Sequence, residues 1–192
     1  MKTTFDVACQ GLDEFAVGQP LITLADWLND NTPTGIHFNV VGGIDPQLQQ
    51  ETIEQSMIVA AVTGSAPIFV GHSKGAMEAF YAAQRLKSRG IRSPLFVSID
   101  STCWGTNADG IPEWSEIVAA PNTGQWFVPD NVDVWIHAYQ DSYPGGGIAQ
   151  LAAGNTTTAL QVIHCPTENH ISIVNFAPVR QSILAAVLKA TA

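Results

Sequence analysis

The sequence predicts a single-domain, three-layer α/β/α sandwich built on a mostly parallel sheet of about six strands. Three observations predict it. Strand-like and helix-like stretches alternate along the chain, which implies parallel strands joined by right-handed crossovers with helices on both faces. None of the six strand stretches shows clean polar–apolar alternation, as expected where both faces are covered. At 192 residues, 46% of them hydrophobic, the chain is long enough for one sizeable core and short for two.

Each element has its own signal. Thr4 to Cys9 reads as the first strand, entering a polar turn at Gln10-Gly11-Leu12-Asp13. From Pro20 to Asn31 the apolar residues Leu21, Leu24, Ala25 and Leu28 recur at helical spacing, and Asn29-Asp30-Asn31-Thr32-Pro33 ends that run. Ile36 to Val41 is a second strand closed by Gly42-Gly43. Asp45 is suited to cap a helix with Pro46 at its first position, running to about Val62 with Ile53, Met57, Ile58 and Ala61 as its apolar stripe. Pro67 to Val70 is a short buried strand, and a helix from Ala76 to Arg89 stops at Gly90. Pro94 to Asp100 is a strongly apolar strand. Ser101 to Asp130 then lacks periodicity and carries Trp104, Trp114, Trp126 and Phe127; a stretch this long without regular structure is usually functional. Strand character resumes from Val132 to Tyr139, a short helix is expected over Ile148 to Ala153, Leu160 to His164 is the last strand, and Pro178 to Ala190 is a closing amphipathic helix. The whole of 1–192 is read as one domain, with residues 101–131 as a lid or pocket insert.

Composition excludes several function classes. The formal net charge is -9 with only eight Lys and Arg, which argues against nucleic acid, whose phosphates need clustered cations, and against an anionic membrane surface. No apolar run approaches the ~18 residues of a spanning helix. Met1 to Asp6 holds one basic residue and no apolar signal core, so a cytoplasmic location is expected. Cys9, Cys103 and Cys165 have no C-x-x-C spacing and read as free thiols. No His/Cys/Asp/Glu cluster has zinc spacing, and Lys74 completes no G-x-x-x-x-G-K phosphate loop. No metal or cofactor is expected.

The chemistry points to Gly71-His72-Ser73-Lys74-Gly75, which fits G-x-S-x-G between a strand and a helix. That context makes a common pentapeptide a nucleophile elbow, with the serine hydroxyl lifted above the sheet edge on a strained turn. The glycines leave room where a Cβ would collide with neighbouring backbone. A serine needs a base, and the base a third group to orient it. Reactive groups of such a sheet collect beyond the carboxyl ends of its strands. Of five histidines, His37 reads as a half-buried strand residue, His72 as pocket lining too close in sequence to reach Ser73, and His137 and His164 as satisfied core residues. His170 lies in a polar loop after the last strand, before an apolar run (Ile171, Ile173, Val174) suited to dock it. The chain order serine, acid, histidine makes it the expected base. Two acids compete: Asp100, 27 residues after Ser73, and Asp141, 29 residues before His170. Asp100 is favoured because its strand is the more apolar; Asp141 precedes an ordinary turn, Ser142-Tyr143-Pro144. The oxyanion donors are expected at the N–H groups of Lys74 and of Leu12.

These residues resemble the α/β-hydrolase superfamily of serine esterases, lipases and thioesterases, over most of the chain. Cys9-Gln10-Gly11-Leu12 looks like its His-Gly-x oxyanion turn, with Gln10 where His is usual. Gly71 to Gly75 matches its elbow, and Asn169-His170-Ile171 resembles its Gly-His-x base loop with Asn169 in place of Gly. With no N-terminal hairpin strands the chain is similar to the minimal, cutinase-sized members. The resemblance implies a thioesterase-like placement for an acid at Asp100; Asp141 would be the more usual one. The reading is a serine hydrolase (carboxylesterase or lipase-like) cleaving a small-molecule acyl ester. A thioesterase is the alternative within enzymes, and a non-catalytic binding protein of the same fold the alternative outside them.

Overall fold

The fold is that of a computed structural model, which describes residues 4–9, 20–41, 55, 57–59, 61–64, 67–101, 105–106, 112–113, 125–141 and 148–192. Six parallel strands form the main sheet in the order β10-β8-β4-β3-β1-β2. They are β1 (Thr4–Cys9), β2 (Ile36–Val41), β3 (Ile68–His72), β4 (Ser93–Ile99), β8 (Val132–Tyr139) and β10 (Ala159–His164). The winding direction reverses between β1 and β3, which puts a crevice beyond their carboxyl ends, next to Ser73.

Alternate residues of the central strands enter two separate cores. On one face Ile68, Val70, Leu95, Val97, Ile99, Ile136 and Ala138 pack against helix α1 (Pro20–Asn31) and helix α3 (Ala177–Thr191). On the other face Phe69, Phe96 and Trp135 pack against helix α2 (Lys74–Ser88). These three are register neighbours on β3, β4 and β8, and their rings stack at 5.4 and 5.3 Å between centroids. Each such pair adds about 0.5–1.5 kcal/mol beyond its area burial. The edge strand β10 is different, for four of its six residues are exposed and none is buried.

Helix ends follow local chemistry. The Asn29 side chain, in the last turn of α1, accepts the Phe38 N–H at 2.7 Å and donates to the Phe38 carbonyl at 3.2 Å, which ties α1 to β2. Helix α2 ends with Gly90 at φ +70, where the Ile91 N–H reaches Leu86 O and the Gly90 N–H reaches Lys87 O. This is a Schellman ending, and it favours glycine because L side chains rarely adopt that φ.

Two expectations change. Residues 148–153 are not a short helix. Ile148–Leu151 is strand β9, parallel to β7 (Gln125–Val128). The segment from 101 to 130, expected to lack regular structure, also contains β5 (Gly105–Thr106) antiparallel to β6 (Pro112–Glu113). The β7–β9 pairing joins residues 23 apart, and β5 and β6 are two residues each, too short to show a period. Of the helix expected from Asp45 to Val62, residues 55, 57–59, 61 and 62 are helical, and its expected cap lies outside the described residues. No helix among the described residues is long and apolar enough to cross a membrane.

Candidate active site

Ser73 stands between the end of β3 and the first residue of α2. Its φ of 57 and ψ of -127 are far from what a side-chain-bearing residue prefers. The turn persists because its surroundings hold it. The Ser73 N–H donates to Ile99 O at 3.0 Å, and its carbonyl accepts from the Ala76 N–H. Gly71 explains the rest: a Cβ there would sit 2.5 Å from the Gly75 carbonyl oxygen and 2.7 Å from Phe69 Cε1. Helix and strand therefore approach through Gly71 more closely than any side chain allows.

Asp100 follows β4 and is the other residue among those described that has a positive φ without being glycine, at 41. Its N–H donates to Ala138 O at 2.7 Å. The side chain is wholly buried.

His170 is brought in from the C-terminal part of the chain. The Asn169 side-chain oxygen accepts the N–H groups of Ile171 and Ser172 at 2.9 and 2.8 Å, and Ser172 Oγ accepts the Asn169 N–H. Ile173 and Val174 then bury themselves in the α1–α3 core and anchor the loop. The result is a continuous chain of contacts. His170 Nε2 lies 2.9 Å from Ser73 Oγ, and His170 Nδ1 lies 2.7 Å from Asp100 Oδ2. With Nδ1–H donating to the carboxylate, Nε2 is left to accept the serine proton.

Asp141 is elsewhere. It sits on the surface with His164, whose Nε2 approaches its Oδ1 at 2.8 Å. His164 is thus exposed rather than a core residue, because β10 is the sheet edge; its ring stacks on Tyr139 at 4.7 Å. His37, expected half-buried, is exposed. His137 is buried, with Nδ1 2.8 Å from Ser98 Oγ. Lys74 opens α2, where the leading N–H groups of a helix have no intrahelical acceptor. Leu12, the other expected donor, lies outside the described residues.

His72 does more than line a pocket. It is fully buried, its Nε2–H donates to the His170 carbonyl at 2.7 Å, and its ring packs 4.7 Å from the His170 ring. Burial first, and the facing His170 second, push its imidazole down to about 3, while the bond to the His170 carbonyl works the other way. It is therefore a neutral donor across the physiological range. Cys165, at the end of β10, is also buried; burial, then Glu168 and Asp100, push its thiol up to about 11. Gln140, which contacts Asp100, carried no sequence signal: a glutamine after a strand is unremarkable.

No protein-family model and no curated protein matches this chain. Solved structures do. A RedJ thioesterase from the prodiginine biosynthetic pathway of Streptomyces coelicolor is 15% identical, at a TM-score of 0.53 over 97% of this chain and 90% of its own. Human thioesterase 2 is 13% identical, at 0.54 over 98% and 96%. SrfTE, the thioesterase domain for cyclization of the lipopeptide antibiotic surfactin, is 13% identical, at 0.54 over 98% and 90%. The chain has the α/β-hydrolase fold that these domains share.

Proposed function

We propose that the protein is a serine hydrolase that transfers an acyl group from a small-molecule ester or thioester to water. The observation that carries this reading is the His170 ring, bridging Ser73 Oγ and Asp100 Oδ2 at 2.9 and 2.7 Å. Ser73 Oγ attacks the acyl carbonyl as His170 Nε2 takes its proton. Asp100 holds the imidazole tautomer and stabilises the imidazolium. The Lys74 N–H, with that of Leu12, receives the developing oxyanion. Collapse breaks the bond to the leaving group, which takes the proton from His170. A water deprotonated by His170 then attacks the acyl-enzyme, and Ser73 is restored.

Of the two acyl classes, the thioester gains support from the place of the acid. Asp100 directly follows β4, the placement that the sequence resemblance associates with thioesterases, and Asp141 is engaged by His164 instead. Residues 101–131 are assigned to the wall of the acyl pocket. Among their described residues is β7, whose Val128 belongs to the same core cluster as Trp135.

The test is to compare an acyl-CoA with the matched nitrophenyl ester, for the wild type and Ser73→Ala. The expected result is turnover, faster on the thioester, that falls at least about 10³-fold in the variant. Undiminished turnover in Ser73→Ala removes Ser73 from the mechanism. Fluorophosphonate labelling separates an enzyme from a binding protein, since the latter leaves Ser73 unmodified.

A further inference from the structure

We propose that Gln140 is a positioning residue for the acid, holding the Asp100 carboxylate with Oδ2 turned toward His170; this rests on the hydrolase reading above. Gln140 follows β8 directly and is fully buried. Its side-chain Nε2–H donates to Asp100 Oδ2 at 2.8 Å, the same oxygen that accepts from His170 Nδ1 at 2.7 Å. Its backbone N–H reaches toward Oδ1 at 3.4 Å. Two residues earlier, Ala138 accepts the Asp100 N–H. Both the backbone and the carboxylate of Asp100 are thereby fastened to the end of β8.

The physical need is specific. A buried carboxylate is tolerated only when its oxygens find donors. The last torsion of an aspartate is broad and nearly two-fold, so the geometry of one oxygen must be imposed from outside. His170 alone cannot impose it, because its loop is the group that needs orienting. A neutral amide suits the role. It donates to the carboxylate yet leaves the negative charge for the imidazolium, whereas a lysine would cancel that charge and a glutamate would donate only while it holds a proton. Asp141, the next residue, turns outward to His164.

The experiment is a double-mutant cycle on the full chain with a nitrophenyl ester, joined to proton NMR of the His170 Nδ1–H. Gln140→Leu is expected to lower kcat about 10-fold or more with KM within about twofold, and to have no further effect in an Asp100→Asn background. Gln140→Glu, close in size, is expected to hold a proton between the two carboxyls, since two buried carboxylates in contact do not both ionise, and so to keep a donor on Oδ2 and retain kcat within about threefold. Gln140→Leu should shift the downfield Nδ1–H resonance, and Gln140→Glu should leave it nearer its wild-type position. The same fold-loss with and without Asp100, or a resonance unmoved in Gln140→Leu, overturns the proposal. Wild-type protein inert to esters, thioesters and fluorophosphonate, but with a resonance that Gln140→Leu shifts, would remove the hydrolase reading and keep the positioning role. Should Gln140→Leu fail to fold, the same readings on Gln140→Met decide.

Discussion

Asp141 faces His164 across the exposed ends of β8 and β10, with 2.8 Å between Oδ1 and Nε2. That contact separates the two carboxylates which the sequence leaves in competition. Asp100→Asn should lower kcat by about 10³–10⁴-fold, the loss expected when the imidazole takes the wrong tautomer. Asp141→Asn should change it less than about twofold, since its contact with His164 is exposed and neither residue touches Ser73 or His170 among the contacts described. Steady-state kinetics on both variants checks this, and a large loss in Asp141→Asn contradicts it.

Gly71 and Gly90 offer a matched pair of alanine substitutions. Gly71→Ala puts a Cβ 2.5 Å from the backbone oxygen of Gly75, so the start of α2 must move. Overpacking of this kind costs about 1–3 kcal/mol, and here it also displaces Ser73. Gly90→Ala meets no atom within 4 Å and suffers only from its φ of +70, about 1–2 kcal/mol. Urea unfolding should find both destabilised, while fluorophosphonate labelling should slow in Gly71→Ala alone.

His72 predicts a pH dependence. Its native imidazole is pushed down to about 3, whereas the unfolded one titrates near the ordinary 6.5. Below 6.5 the unfolded chain binds a proton that the native chain refuses. This group therefore withdraws stability as pH falls from about 6.5 to about 3, by roughly 1.4 kcal/mol per pH unit, and withdraws none above 7. Denaturation of His72→Leu at a series of pH values should give a curve flatter by one proton between pH 6 and 4, on a lower plateau at neutral pH.

Asn169 should matter for rate more than for binding. Its side-chain oxygen holds the Ile171 and Ser172 N–H groups and so fixes the turn that carries His170. Asn169→Ala should cost about 1 kcal/mol of stability, as loss of a helix cap does. It should also lower kcat several-fold with KM little changed. An unchanged kcat would show that Ile173 and Val174 fix the turn without it.

Much of this was legible in the sequence, for identifiable reasons. β1, β2, β8 and α1 have the bounds expected of them, because the strands are short runs rich in β-formers between turn residues and α1 has a regular apolar stripe. Ser73 and His170 were legible because the elbow is a local pattern and the base follows from chain order. Asp100 against Asp141 was not settled, since the choice depends on which strand end faces one loop. β9 does not show itself as a strand locally because its partner β7 lies more than twenty residues upstream. Gln140 and the His72 bond to His170 are long-range contacts of residue types that carry no signature.

Ser73 and Asp100 both stand on strained backbone, and both ride on β3 and β4, adjacent strands of one sheet. His170 arrives on a separate stretch of chain, moored by Ile173 and Val174. Two stations are thus built into the frame and the third is berthed beside it. Gentle warming should undo the berth before the frame, so competence should fade while the circular dichroism of the sheet is still intact.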